Sequence, residues 1–245
     1  MSNQHRGLAA AVVVPAAILI IGLASCQGGS SEPTATPTVT VSAEPTATPI
    51  PRLNGQEPLD AGRYRLNGGV SSVVTVEVPS GWSASGDWVV ISPRGNDLPD
   101  GMAIRFYTIP NLAANPLSHS AGNLDPPVGP TVDDMVQAIV AHPALTASAP
   151  KDITIDGHAG QLVTITIPAD AELPIVEGGP AYYFYAEPSG GGIWGFAPAQ
   201  TFDWYIVDVD GERLIIDAFH YPGTPDEDLA VQRTVVESVQ FGSNS

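Results

Sequence analysis

The stretch "DWYIVDVDGERLIIDAFHY", residues 203–221, decides how the chain folds. Two runs of β-branched and aromatic residues flank Asp210-Gly211. That dipeptide suits a tight turn because both positions tolerate positive φ, so the stretch reads as a β-hairpin. A second hairpin is expected at Asp156-Gly157, between "DITID" (152–156) and "QLVTITIP" (161–168). "VVTVEVP" (73–79), "WVVIS" (88–92), "MAIRFYTIP" (102–110) and "YYFYAE" (182–187) carry the same strand signals, bounded by Gly, Pro or Asp.

Two segments change period from strand to helix. In "TVDDMVQAIVAHP" (131–143) Thr131 is an N-cap, and Asp133 and Asp134 sit in the first turn, where the helix dipole favours anions. Val132, Met135, Val136, Ile139 and Val140 form one apolar stripe, and Pro143 stops the helix. In "TPDEDLAVQRTVVESVQF" (224–241) Thr224 is read as the cap, Pro225 as the first helical residue and Glu227 as the far side of a capping box. Leu229, Val235, Val236 and Val239 are its packing residues. The order of elements gives an α+β class, a mainly antiparallel sheet packed by two main helices.

Working outward, residues 59–245 make one domain, large enough to bury about 70 per cent of its unfolded surface without disulfides. Residues 26–58 differ sharply. "QGGSSEPTATPTVTVSAEPTATPIP" is Pro/Thr/Ser-rich, has no aromatic residue and contains "EPTATP" twice. It cannot bury enough apolar surface to offset ordering entropy, so a disordered tether is expected, reaching ~90 Å if extended at ~3.1 Å per residue. Residues 1–25 read as an export signal: His5 and Arg6, then "LAAAVVVPAAILIIGL" (8–23), sixteen residues without a charge. That run is shorter than the roughly 20 residues of a spanning helix, and Pro15 interrupts it.

The signal ends in "LASC", and Cys26 is the sole cysteine of 245 residues. These four residues resemble the lipobox of bacterial lipoproteins. The resemblance implies diacylglyceryl transfer to the Cys26 sulfur and cleavage after Ser25. The mature protein would then be lipid-anchored at the extracytoplasmic face of the cell membrane, with the membrane as its first partner. The plainer alternative is an ordinary signal peptide, or an uncleaved anchor, with a chance cysteine.

Charge excludes other partners. Twenty-six acidic residues against nine basic ones give a formal −17, a balance that repels phosphate backbones and argues against nucleic-acid binding. The search for chemistry yields no catalytic or metal-binding residue and no cofactor, so no enzyme is expected. There is no Gly-x-Ser-x-Gly elbow, no Ser-x-x-Lys and no His-Glu-x-x-His. His220 is placed at a strand end near Asp217 and Asp226, a zinc-like grouping that strand packing explains as well. "DVDGE" (208–212) echoes the opening of a calcium loop, but Phe219 stands where the twelfth-position Glu belongs.

The candidate for function is aromatic. Nine aromatic residues fall between Tyr182 and Tyr205. Strand alternation puts Tyr182 and Phe184 on one face, Tyr183 and Tyr185 on the other. Trp194 and Phe196 lie in the glycine-rich "EPSGGGIWGFAPAQ" (187–200), read as a mobile loop presenting a recognition surface to a protein or small molecule. Plain packing of both rings is the competing reading.

Three stretches together, "LDPPVGPTVDDMVQAI" (124–139), "DITIDGHAGQLVTITIP" (152–168) and residues 204–241, resemble an exported domain of unknown function that recurs in actinobacterial proteins. Its order of strands and helices is similar to the PsbP-like α/β/α sandwich. The resemblance implies no reaction and supplies no catalytic residue. The expected function is a non-enzymatic binding or interaction module; similarity to PsbP-like proteins implies, as the alternative, an accessory or assembly factor of an envelope complex, and a hydrolase whose site is too dispersed to see is the remaining one. Cysteines that recur in the resembled family near 113–123 and 170–180 are absent here, so no disulfide carries over.

Overall fold

The structure is a computed structural model that describes residues 49–55, 58–176, 179–189 and 191–242. The expected signal segment, Cys26 and the tether up to residue 48 lie outside the described residues. Five strands precede the first helix: β1 (Gly62–Leu66), β2 (Val73–Val78), β3 (Ser83–Ser85), β4 (Val89–Ile91) and β5 (Met102–Tyr107). After α1 (Val132–Ala141) come β6 (Thr146–Ala147), β7 (Lys151–Ile155), β8 (His158–Thr166), β9 (Ile175–Val176) and β10 (Gly179–Pro180). β11 (Tyr182–Ala186), β12 (Gly192–Gly195), β13 (Thr201–Val209), β14 (Glu212–His220), α2 (Asp226–Glu237) and β15 (Gln240–Gly242) complete the order.

The hairpin that opens the sequence reading is the centre of the main sheet. β13 and β14 pair through nine registers, from Thr201↔His220 to Val209↔Glu212. Asp210 and Gly211 turn the chain at φ 55° and 88°. Asp208 closes the turn by accepting the Gly211 amide at 2.7 Å, while the other carboxylates of "DVDGE" accept from the Ser72 hydroxyl (Asp210) and from Ser71 (Glu212). The sheet runs β3-β4-β5-β14-β13-β8-β6, with β7 also on β8, and every ladder is antiparallel. A mainly antiparallel α+β fold with two helices is therefore the architecture.

Both faces of the sheet are covered, which is why all six residues of β5 are buried instead of alternating. One face sends Ile104, Phe106, Leu214 and Ile216 against Val235 and Val236 of α2 and against the small sheet β1-β2-β15. The other sends Phe202, Trp204, Ile206 and Phe219 against Met135, Val136 and Ile139 of α1 and against Tyr182 and Phe184 of the β11–β12 ribbon.

Helix α1 begins as its sequence says. The Thr131 hydroxyl accepts the Asp134 amide at 3.1 Å, and Asp134 accepts the Thr131 amide at 3.0 Å. The Thr131 hydroxyl also donates to Asp134 Oδ2 at 2.7 Å, and that bond, with the one from the Thr131 amide, holds the Asp134 carboxyl below the usual carboxylate range. Val140, expected in the packing stripe, sits at its margin and is half exposed. Helix α2 departs from expectation. No side chain caps it, and Pro225 occupies the cap position. The Thr224 hydroxyl donates instead to the carbonyls of Asp100 and Gly101, both at 3.1 Å, tying the helix start to β5. Gln232, unflagged by its polarity, is buried on the packing face and donates to Ala103 and Phe219 carbonyls.

The fold also starts earlier than residue 59. Pro51 and Leu53 lie beside β1, with Leu53 N–H on Arg65 O at 2.7 Å and Arg65 N–H on Pro51 O at 2.8 Å. Leu53 is buried among the first core cluster. Once its amide and carbonyl neighbours are paired, a lone leucine can repay its ordering by burial, even at the end of a Pro-rich run.

Candidate functional site

Trp194 lies on β12, not on a loop. It is paired across the ribbon with Tyr183, ring centroids 6.0 Å apart, and its indole meets Phe196 edge-on at 6.4 Å. Both Trp194 and Phe196 are half-buried. Ala113, Ala181, Tyr183, Val176 and Trp194 form a small cluster outside the main core, with His119 edge-on to Tyr183 at 5.2 Å. Ile175 stands beside it at 77 per cent exposure. The glycines expected to loosen this segment serve close approach. A Cβ on Gly192 would fall 2.0 Å from the Tyr185 carbonyl oxygen, and one on Gly195 2.6 Å from the Phe202 ring. Gly192 lets the two ribbon strands approach each other, and Gly195 lets the ribbon lie flush on the sheet beside Phe202.

Alternation within the ribbon holds for Tyr182, Tyr183 and Phe184 but fails at Tyr185. The register steps from Tyr183↔Trp194 to Tyr185↔Ile193, a bulge that leaves Phe184 as the extra residue. Tyr185 and Ile193 consequently pack against the same core cluster as Phe184.

Beneath the ribbon sits a buried ionic group that sequence reasoning missed. Arg105 on β5 and Asp217 on β14 stand directly opposite each other, 6 per cent and 0 per cent exposed. Arg105 Nε donates to Asp217 Oδ2 at 2.8 Å, Nη2 donates to the same oxygen, and the Tyr107 hydroxyl donates there at 2.8 Å. The remaining guanidinium nitrogen, Nη1, donates to the Trp194 carbonyl at 3.0 Å. Asp217 thus fixes Arg105, and Arg105 fixes the backbone that carries Trp194. Burial pushes the Asp217 carboxyl up, against the pull of Arg105 and Tyr107, and pushes the Tyr107 phenol well above its ordinary value. Trp204 faces Asp217 across β13–β14, yet its Nε1 and Asp217 Oδ1 each lack a hydrogen bond of proper geometry. The legible signal is "AIRFY" against "IIDAF": opposite single charges inside two apolar strands.

A second aromatic feature lies on the other side of the ribbon. A cleft of about 280 Å³ is lined by Trp88, Tyr107, Tyr185, Ile193 and Glu187, among others. The Trp88 and Tyr107 rings stand nearly perpendicular, 74° apart with centroids at 6.5 Å. Trp88 is 37 per cent exposed.

Among the described residues the histidines do not gather into a site. His220 and Asp217 point to opposite faces of β14, so the imagined zinc grouping does not form. His142 is buried with Nε2 at 2.9 Å from the Ala113 carbonyl. Among the described residues no three His, Cys, Asp or Glu side chains are grouped to hold a metal. No helix among them is long and apolar enough to cross a membrane. No protein-family model matches the chain, and no curated protein is significantly similar to it.

Proposed function

We propose that this protein is a non-enzymatic, lipid-anchored binding module at the extracytoplasmic face of the cell membrane. The observation that carries the reading is the Trp194–Phe196 pair, half-buried on a ribbon whose backbone is held by a buried ion pair. Rigid aromatic anchors that lose little conformational entropy suit recognition of a protein or a small molecule, while packing alone would not require that the ribbon be pinned from below. The "LASC" ending supports the anchor, and the Pro/Thr/Ser-rich tether supports presentation away from the bilayer. The covered sheet, with α1 on one face and α2 on the other, is compatible with a PsbP-like sandwich, and that comparison carries no more than topology.

Two measurements test this. Replacing Cys26 by Ala in the full-length chain should abolish acyl labelling and release the protein into the medium; an unchanged membrane fraction would refute the anchor. Affinity capture from envelope extract with the full-length chain should recover a partner, and Trp194→Ala should lose it while far-UV dichroism stays the same. Equal recovery by both proteins would place recognition elsewhere.

A further inference from the structure

The cleft behind the ribbon has a chemistry of its own, independent of the Trp194 surface. Its aromatic walls come from parts of the chain that are far apart in sequence: Trp88 from the turn before β4, Tyr107 from β5 and Tyr185 from β11. The perpendicular Trp88 and Tyr107 rings make a corner, not the single flat platform on which a sugar stacks. Glu187 stands at the lining, exposed and without an ion pair among the described residues. Among the described residues no lysine or arginine lines the cleft. The Tyr107 hydroxyl is committed to Asp217 and the residue is 7 per cent exposed, so a small part of its ring is what it adds to the lining. Arg105 lies 5.8 Å from the same ring, but its charge is matched by Asp217. The whole chain adds a formal −17.

Aromatic faces meeting at an angle beside an unpaired carboxylate attract a soft, weakly hydrated cation more than a hard one. Desolvating a trimethylammonium group costs less than desolvating a primary ammonium, and the ring quadrupoles compensate for what is lost. The bulge at Phe184 gives the cleft its third ring, since it turns Tyr185 and Ile193 back toward the core side. We propose that the cleft formed by Trp88, Tyr107, Tyr185 and Glu187 binds a small quaternary ammonium ion. Two sources share that chemistry, a free trimethylammonium compound and a phosphocholine headgroup. The unpaired Glu187 and the acidic surface favour the free compound, which carries no phosphate.

The test is calorimetric titration of the full-length protein at constant ionic strength with choline chloride, glycerophosphocholine and 3,3-dimethylbutan-1-ol, the uncharged shape-mimic of choline. Choline should saturate with a Kd on the order of 1 mM. Trp88→Leu should weaken it between about threefold and thirtyfold, and Glu187→Gln about threefold. Trp88→Phe, which keeps a ring, should restore part of the loss; this separates a ring effect from a folding defect, as does an unchanged urea midpoint. Weaker binding of glycerophosphocholine than choline assigns the free compound, and equal binding assigns the headgroup source. No saturation by ~50 mM choline, or equal binding of the uncharged mimic, overturns the proposal.

Discussion

A single buried carboxylate shows how much of this molecule depends on pairing. Asp217 is enclosed on all sides and satisfied chiefly by Arg105 and Tyr107. Removing one member of such a pair leaves the other charge stranded, whereas replacing both by apolar residues is often neutral. Asp217→Asn should therefore lower unfolding free energy by about 3–5 kcal/mol in urea titrations. The double change Arg105→Met with Asp217→Leu should recover most of it, yet leave the Trp194 carbonyl without its donor. Faster amide exchange in β11–β12 of the double variant, at near-native stability, would separate the anchoring role from the energetic one. His220 supplies a pH signature. Burial lowers its pKa below 6.5, with the Asp203 carboxylate opposing, and its Nδ1 is buried without a partner. Below pH 6.5 the unfolded chain takes up a proton that the folded chain resists. His220 stability is thus complete above 6.5 and drains as pH falls through the depressed folded value. His220→Gln should flatten the decline of the urea midpoint between about pH 6.5 and 5; an unaltered slope would count against it.

At the level of elements, the ribbon β11–β12 is where the sequence is most easily misread. Long strands with Asp-Gly turns, the α1 cap and the apolar runs of β5, β13 and β14 are all local features, and they appear where the residues put them. β12 is invisible to the same reading because "GIWG" has glycine at both ends. Its strand character comes from docking on the sheet, a tertiary effect that outweighs local propensity. The Phe184 bulge and the Arg105–Asp217 register are likewise long-range, since alternation within one strand says nothing about which residue faces which across a ladder. Trp194 and Phe196 could be picked out as aromatics among glycines, but nothing local joins Trp88 to Tyr185 and Glu187, which meet only in the folded cleft. Gly195→Ala tests the docking. Its Cβ would meet Phe202 and Ile167 at 2.6 and 2.7 Å. The ribbon should lift, at a cost of about 1–3 kcal/mol, with exchange rates rising in β11–β12 but not in β14.

Over the whole molecule, charge balance and chain order add constraints that no single contact carries. Five arginine–carboxylate bridges found among the described residues engage only a minority of the 26 acidic residues. Repulsion among the rest opposes compactness, so raising NaCl from 10 to roughly 150 mM, where the screening length shortens to about 8 Å, should raise the melting temperature. A fall would mean that attractive pairs dominate instead. Chain order has a different outcome. The small sheet places β2 between β1, at the start of the fold, and β15, within its last residues. Phe241 N–H also reaches back to Asp156 at 2.7 Å. A polypeptide made N-terminus first cannot close this clasp until residues 240–242 have emerged, so β1 and β2 wait for their third strand while everything between is synthesised.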